Sequence, residues 1–298
     1  MRETILLTGA KGLLGQAISQ ILSDSPEIKL IVTDRTELDI TRKESVALAF
    51  SRFKPSIVIN CAAYTNVNRA EEEKEPAFFV NAGGVFNLAT ASKEVGAVLI
   101  HFSTDYVFSG DKKDGYKEDD EASNPLNAYG ASKLEGEKNL LSISPKFYLV
   151  RTSWLFGTGG KCFPETMIRL AEEKKELRVV CDQYGKPTYT GDLAQAVVNH
   201  FVLSRGKTKP PFGVYHLTNS GVTNWYEFAR EIIKNYGAMR SWPKENYPNI
   251  IPVASDEFLS PAKRPAFSVL QNAKLSPLRS WQEALKDYLL EKEKRFTI

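Results

Sequence analysis

The segment Pro125–Glu137 contains a tyrosine and a lysine at a spacing suited to catalysis. Tyr129 and Lys133 are four positions apart, so on a helix they lie one turn apart on the same face and can contact one bound molecule. A nearby ammonium favours the phenolate, which lowers a tyrosine pKa from about 10 towards neutral pH. We therefore expect Tyr129 to donate a proton to a carbonyl oxygen. The alternative is an exposed helix with this spacing by chance, so the pattern needs support from other segments.

A glycine-rich turn follows the first apolar segment of the chain, Thr4–Thr8, and precedes a segment with apolar residues at helical spacing. Such a turn lets a pyrophosphate approach backbone N–H groups at a helix amino terminus, where the helix dipole favours anions. The spacing is GxxGxxG rather than GxGxxG, so the prediction depends on the flanking strand and helix. The residues of this predicted dinucleotide site are Gly9, Lys11, Gly12, Leu13, Leu14 and Gly15.

A second buried strand ends in Asp34 and Arg35, where the adenosine ribose of a dinucleotide would lie. An acidic side chain suits a free 2′-hydroxyl, whereas an arginine suits a 2′-phosphate. The two residues together leave NAD and NADP both open. Asp39 and Ile40 are predicted to border the adenine.

Strands at 56–61, 97–102 and 147–151 alternate with helical segments. This alternation predicts an α/β fold, a doubly wound parallel (Rossmann) sheet over residues 1–151, in which ligands bind beyond the carboxyl ends of the strands. Further predicted cofactor contacts follow those strands or lie in a core helix: Ala62, Ala63, Tyr64, Asn81 and Ser103.

Residues 152–298 are predicted to form a smaller part, mainly substrate-binding, with some segments returning to the Rossmann core. A helix from Asp192 to about Leu203, a strand at 213–217 and a closing helix at 281–290 are expected. Asn224, with Glu227 three positions on, resembles a capping box. The region 242–261 is interpreted as a proline-rich loop, and the acidic run 71–73 as a solvated helix face.

Composition excludes several classes of protein. The 298 residues are 42% hydrophobic and 25% charged, with a net charge of +3, and no basic tract indicates nucleic-acid binding. The cysteines Cys61, Cys162 and Cys181 form no metal-binding or disulfide pattern, which favours a reducing cytoplasm. We expect no signal peptide and no membrane span.

Five motifs together resemble a known family. They are 62–67 (AAYTNV), 103–108 (STDYVF), 129–137 (YGASKLEGE), 151–154 (RTSW) and 264–268 (RPAFS). With the glycine turn, they resemble the extended short-chain dehydrogenases/reductases, and within them the dTDP-4-dehydrorhamnose reductases. The resemblance covers nearly the whole chain, with the motifs in order.

The resemblance implies hydride transfer from NADPH or NADH to C4 of a dTDP-4-keto-6-deoxyhexose. It makes Tyr129 the proton donor, Lys133 the residue that lowers its pKa and binds the nicotinamide ribose, and Thr104 a hydrogen-bond donor to the ketone oxygen. The implied substrate contacts are Val67, Thr104, Asp105, Tyr106, Tyr129 and Trp154.

Three alternatives stand beside this interpretation. Related nucleotide-sugar dehydratases carry Thr-Asp-Glu at this strand end, but here the third residue is Tyr106, so dehydration is not expected. The regulatory β subunit of methionine adenosyltransferase, a partner protein that carries NADP, resembles the same branch. Another nucleotide-sugar 4-ketoreductase also stays open.

Some members of the resembled family form a dimer around Mg²⁺ with acidic residues. In this chain one of those positions is Ala17, and a later acidic pair is reduced to Gly191 and Asp192. Because Mg²⁺ needs octahedral oxygen ligation, we expect no metal site and a monomer or a metal-independent homodimer.

Overall fold

The computed structural model describes residues 2–203 and 208–296. Its strands, in chain order, are β1 (Glu3–Thr8), β2 (Ile28–Thr33), β3 (Ile57–Asn60), β4 (Val98–Thr104), β5 (Phe147–Thr152), β6 (Leu155–Phe156), β7 (Glu176–Val180), β8 (Tyr184–Gly185), β9 (Thr188–Tyr189), β10 (Gly213–His216), β11 (Thr223–Asn224) and β12 (Asn249–Val253).

The α-helices are α1 (Leu13–Ser23), α2 (Lys43–Phe53), α3 (Lys74–Phe78), α4 (Gly84–Val95), α5 (Ala128–Ile143), α6 (Phe163–Glu173), α7 (Thr190–Val197), α8 (Trp225–Met239) and α9 (Trp281–Phe296). A π-helical segment, Phe79–Gly83, connects α3 to α4, and another, Val198–Val202, extends α7. Within residues 2–203 and 208–296, no helix combines the length and the apolar character needed to cross a bilayer.

Six strands form one parallel sheet in the order β10-β5-β4-β3-β1-β2. This confirms the predicted parallel, doubly wound fold. The strands are rich in β-branched and other apolar residues because helices cover both faces of such a sheet; every residue of β3, for example, is buried. β1 and β3 lie side by side where the strand order reverses, so a crevice opens beyond their carboxyl ends.

Three large apolar cores stabilise the part of the chain that the structure describes, beside two small ones. One face of the sheet packs against α1 and α7 through residues such as Ile18, Leu193 and Phe201. The other face packs against α2, α4 and α5. A third core, which includes Phe228 and Tyr288, joins α6, α8 and α9 beside β7. Two of these cores therefore position the ends of the sheet strands, and the third supports the remaining wall of the cleft described below.

The interpretation of 242–261 as a loop is wrong, because β12 lies within it and pairs in parallel with β7. Prolines in this region led the sequence to indicate a loop instead of a strand. Pro252 lacks an N–H donor, but β12 pairs with β7 alone within its two-stranded sheet, and proline is tolerated on such an edge.

The start of α8 depends on the predicted cap. Asn224 Oδ1 accepts a hydrogen bond from the Glu227 N–H at 2.8 Å, which confirms the Asn224 half of the predicted capping box. The Glu227 carboxylate pairs with Arg230 on the same helix. The strand predicted at 213–217 is present as β10 and extends the main sheet beside β5.

Candidate active site

A cleft of about 760 Å³ opens beyond the carboxyl ends of the central strands. Its walls include the glycine turn after β1, the residues that follow β3 and β4, and Tyr129 and Lys133 of α5. The separate segments that the sequence predicts to bind ligands therefore meet around one cavity.

The glycine turn fits closely against the end of β3. Gly9 has a φ of +66°, and a Cβ there would lie 2.5 Å from the backbone nitrogen of Ala62. A Cβ on Gly15 would lie 2.3 Å from the Gly9 carbonyl oxygen. Gly12 precedes α1, whose first turn carries no acidic side chain. The N–H groups at the start of α1 are thus suited to an anion such as a pyrophosphate.

The two residues that follow β2, Asp34 and Arg35, have different surroundings. The Asp34 carboxylate forms an ion pair with Lys11 and accepts hydrogen bonds from the Thr36 hydroxyl and backbone at 2.6 and 2.7 Å. The Lys11 ammonium, the largest cause, holds the pKa of Asp34 well below its usual range. Asp34 is not among the residues that line the cleft, whereas Arg35 and Asp39 are. The arginine is thus the better placed of the two for a ribose substituent.

Hydrogen bonds fix the beginning of α5, the helix that carries Tyr129. Asn127 Oδ1 accepts from the Gly130 N–H at 2.8 Å, as an amino-terminal cap. Glu71 Oε1 accepts from the Ala128 N–H at 2.7 Å. The acidic run 71–73 is therefore more than a solvated face, since one of its carboxylates anchors the start of α5.

Tyr129 is half-buried and Lys133 is only 2% exposed. Burial lowers the pKa of Lys133 to about 8 and raises the pKa of Tyr129 to about 12. This net direction is opposite to the lowering expected from a neighbouring lysine, because desolvation of the phenolate is the largest cause of the shift in the tyrosine pKa. Tyr129 is consequently a protonated phenol at neutral pH.

The residues after β4 form a compact polar group beside Tyr129. The Thr104 hydroxyl donates to Asp105 Oδ1 at 3.0 Å and accepts from the Tyr106 N–H at 3.2 Å. Burial raises the pKa of Asp105 to about 7. The Tyr106 ring lies edge-on to the Tyr129 ring, with centroids 6.0 Å apart.

The cleft is chemically suited to a dinucleotide. In addition to the N–H groups of α1, it presents two buried hydroxyls, Ser103 Oγ and Thr152 Oγ1. Neither has a hydrogen-bond partner within the described part of the chain. Buried polar atoms normally have partners, so these hydroxyls are available to a bound ligand.

A profile of the RmlD substrate binding domain family matches residues 1–294. The chain belongs to this family. It is 40% identical over 293 residues to the spore coat polysaccharide biosynthesis protein SpsK of Bacillus subtilis, covering 97% of each chain. It is also 40% identical over 288 residues to a dTDP-4-dehydrorhamnose reductase of Aggregatibacter actinomycetemcomitans, covering 95% of this chain and 97% of the relative.

A solved structure of similar shape carries a nucleotide. The crystal structure of dTDP-4-dehydrorhamnose reductase from Bacillus anthracis in complex with NADP is 38% identical, with a TM-score of 0.88. The match covers 98% of this chain and 100% of that chain. Sequence and structure comparisons thus agree on the RmlD family.

Most of the predicted site residues of this RmlD-family chain line the cleft. They are Gly9, Lys11, Gly12, Leu13, Leu14, Gly15, Arg35, Asp39, Ile40, Ala62, Ala63, Tyr64, Ser103, Thr104, Asp105, Tyr129, Lys133 and Trp154. Val67, Tyr106, Asn81 and Asp34 are not among the lining residues.

Asn81 acts on the cleft indirectly. It is buried, and its side chain accepts from the Tyr64 N–H at 2.9 Å and donates to the Tyr64 carbonyl at 3.0 Å. It also donates to the Ser132 hydroxyl at 2.9 Å. Asn81 therefore fixes the segment after β3 relative to α5.

Sequence reasoning missed a second loop at the cleft. Gly159, Gly160 and Lys161 line it, and Gln16 of α1 donates to the Gly159 carbonyl at 2.9 Å. This loop follows β6 and carries a cation close to the glycine turn. A Gly-Gly-Lys sequence is the one signal that could have indicated a phosphate contact, but nothing nearby in the sequence links it to α1.

Two of the three positions at which the resemblance implies metal-binding acids line a smaller pocket. Ala17 and Gly191 both line it, together with Glu291. Asp192 instead pairs with Arg279 and accepts from Asn219. Among residues 2–203 and 208–296, no group of three or more histidine, cysteine or acidic side chains could hold a metal ion.

Proposed function

We propose that this protein reduces the C4 ketone of a dTDP-4-dehydro-6-deoxyhexose with NADPH or NADH. The proposed substrate is dTDP-4-dehydro-L-rhamnose, and the product is dTDP-L-rhamnose. The observation that carries the proposal is the position of Tyr129, Lys133 and Thr104 in the same cleft as the glycine turn. The relatives named dTDP-4-dehydrorhamnose reductase support the choice of sugar.

The proposed cofactor contacts follow the shape of the cleft. The pyrophosphate would meet the N–H groups at the start of α1, and Arg35 would face the ribose substituent. Asp39, Ile40, Ala62, Ala63, Tyr64 and Ser103 would contact the remainder. When bound, the reduced nicotinamide supplies the hydride that the carbonyl carbon receives.

The proton comes from the protein. Tyr129, a phenol at neutral pH, donates its proton to the ketone oxygen as that oxygen gains negative charge. The Thr104 hydroxyl hydrogen-bonds the same oxygen and stabilises the charge. The Lys133 ammonium binds the nicotinamide ribose and stabilises the phenolate that Tyr129 becomes.

The sugar is proposed to contact the residues after β4 and β5. Asp105 and Trp154 line the cleft, and the Tyr106 ring borders Tyr129. Val67 is half-buried in the segment after β3 and would reach the sugar from that side.

The test is to supply dTDP-4-dehydro-L-rhamnose with NADPH or NADH and follow the loss of the reduced-nicotinamide absorbance. Turnover with this sugar supports the proposal. Turnover only with a different 4-keto nucleotide sugar would redirect it to another 4-ketoreductase. Tight NADP binding without turnover of any such sugar would favour the non-catalytic regulatory subunit as the alternative.

We also propose a cytoplasmic enzyme that is a monomer or a metal-independent homodimer. Cys61, Cys162 and Cys181 are free thiols, as in proteins of reducing compartments. Of the positions where relatives would carry metal-binding acids, two are Ala17 and Gly191, which supply no carboxylate.

A further inference from the structure

A chain of buried hydrogen bonds runs under the cleft from β1 to Lys133. The Thr8 hydroxyl donates to Asn60 Oδ1 at 2.7 Å, and the Asn60 amide nitrogen lies 3.0 Å from His101 Nδ1. His101 Nε2 lies 3.4 Å from Lys133 Nζ. Thr8, Asn60, His101 and Lys133 are all at most 2% exposed, so water does not compete for these contacts.

The hydrogen bonds of Asn60 decide which atoms of this chain donate and which accept. Asn60 Oδ1 accepts from the Thr8 hydroxyl and also from the Ala62 N–H at 3.1 Å. Two donors on this oxygen fix the amide orientation, so the amide NH₂ group must face His101. His101 Nδ1 is then an acceptor. Burial keeps the imidazole neutral by lowering its pKa, so its single proton is on Nε2, which faces Lys133.

An imidazole N–H directed at an ammonium is an unfavourable contact between two donors. Lys133 Nζ has one strong acceptor, the Phe102 carbonyl oxygen at 2.7 Å. The lysine can relieve the contact with His101 only by giving up a proton, since the free amine then has a lone pair to accept the Nε2–H.

We propose that Thr8, Asn60 and His101 form a positioning chain that directs an imidazole N–H towards Lys133 and so favours release of the lysine proton towards Tyr129. The proposal rests on the reductase function. Once Tyr129 has given its proton to the alkoxide, Lys133 passes one proton to the phenolate. The neutral amine that remains takes up a proton from solvent, so both groups return to their starting forms.

Two other titratable groups near Lys133, one of them a neutral thiol, act in the opposite direction. Glu137 lies one turn further along α5, and Cys61 follows β3; both raise the lysine pKa, but burial outweighs them. Glu137 is itself engaged by Arg151 at 2.7 Å. The histidine on β4 is therefore the neutral group that can reinforce proton release without adding charge.

The direct test is the tautomer of His101 in the ligand-free protein, measured by ¹⁵N NMR of histidine-labelled protein. The wild-type protein should carry the His101 proton on Nε2. His216 serves as an internal reference, because its Nδ1 lies 3.1 Å from the Gln271 carbonyl and must donate to it. His101→Gln identifies the His101 signals by their loss. A His101 proton on Nδ1 in the wild-type protein overturns the proposal, whether or not the protein is a reductase.

Asn60→Asp reverses the chain, because a carboxylate accepts from Nδ1–H and leaves Nε2 as an acceptor for the lysine. The wild-type kcat should fall at high pH as Lys133 loses its proton to solvent. In Asn60→Asp we expect the tautomer to switch and this fall in kcat to move upward by about one pH unit. Asn272→Asp, in a half-buried asparagine bonded to Thr218 and outside the cleft, should leave that fall unchanged. A shifted kcat profile without a tautomer switch would reflect the added charge alone and would contradict the proposal. Absence of turnover by wild-type protein would instead count against the reductase function.

Discussion

The indole ring of Trp154 lies flat against the indole ring of Trp225, with the ring centroids 3.6 Å apart and the planes 8° apart. Trp154 lines the cleft and has a φ of +47°, a left-handed conformation that is costly for a bulky residue. Gly185 makes room for it, since a Cβ there would lie 2.5 Å from the Trp154 ring. Packing against α8 thus maintains a strained residue in the wall of the cleft.

Trp225→Ala should weaken sugar binding without affecting the cofactor. Loss of an aromatic pair worth about 0.5–1.5 kcal/mol predicts a rise in KM for the sugar of about 2- to 10-fold. Cofactor Kd should be unchanged. Trp242→Ala is the control, because Trp242 contacts Tyr236 and Tyr247 away from the cleft. Equal sugar KM values in the two variants would mean that the Trp225 stack does not position Trp154.

Arg35→Ala should reduce kcat/KM for NADPH and leave the value for NADH nearly unchanged. A charge-assisted hydrogen bond to the 2′-phosphate contributes about 1.5–3 kcal/mol, so the expected loss is about 10- to 100-fold. The exposed Arg42, outside the cleft lining, provides the matched control as Arg42→Ala. The wild-type enzyme should accept both cofactors within about a hundredfold. A parallel loss with NADH would show that Arg35 binds a part common to both cofactors.

Asp105→Asn should stabilise the protein more at high pH than at low pH. The pKa of Asp105 is raised to about 7 in the folded state, above its unfolded value, because burial disfavours the carboxylate. The stabilisation that the protonated Asp105 carboxyl contributes is therefore fully present below pH 4 and is lost as the pH rises to about 7. Asparagine cannot ionise and avoids this loss.

Chemical denaturation of the wild type and Asp105→Asn at pH 4.5 and pH 8 measures this difference. The gain in unfolding free energy for the variant should be larger at pH 8. Asp24→Asn, at an exposed position, should give the same small change at both pH values. A gain for Asp105→Asn that does not depend on pH would indicate that Asp105 ionises normally.

The oligomeric state should not respond to magnesium. Carboxylates at the positions of Ala17 and Gly191 would be needed to ligate the ion, and these residues supply none. Size-exclusion chromatography in EDTA and then in excess Mg²⁺ should give the same elution volume. A reversible shift from monomer to dimer would contradict the proposal.

The sheet and the glycine turn could be predicted because their signals are local. Alternating apolar segments predict the strands, and the glycines close to β1 predict a turn where only a small residue fits. The helix with Tyr129 and Lys133 was also predictable, since one turn of α5 relates the two side chains. These features depend on residues near one another in the chain.

The missed features depend on contacts between distant segments. Gln16 and Gly159 are 143 positions apart, and no periodicity connects them. Likewise, Asp34 was a predicted ribose contact, but it pairs with Lys11 and does not line the cleft. The pKa of Tyr129 could not be obtained from spacing alone, because burial in the folded protein decides its direction.

Tyr129 is proposed to deliver a proton during reduction of dTDP-4-dehydro-L-rhamnose. The most direct measurement compares cofactor oxidation with this sugar by the wild-type enzyme and by Tyr129→Phe, with cofactor Kd determined for both. We predict turnover by the wild type, a loss of about 10²- to 10⁴-fold in the variant, and nearly equal cofactor Kd values. A variant that keeps more than about a tenth of wild-type turnover would contradict the account, because another group would then be the acid.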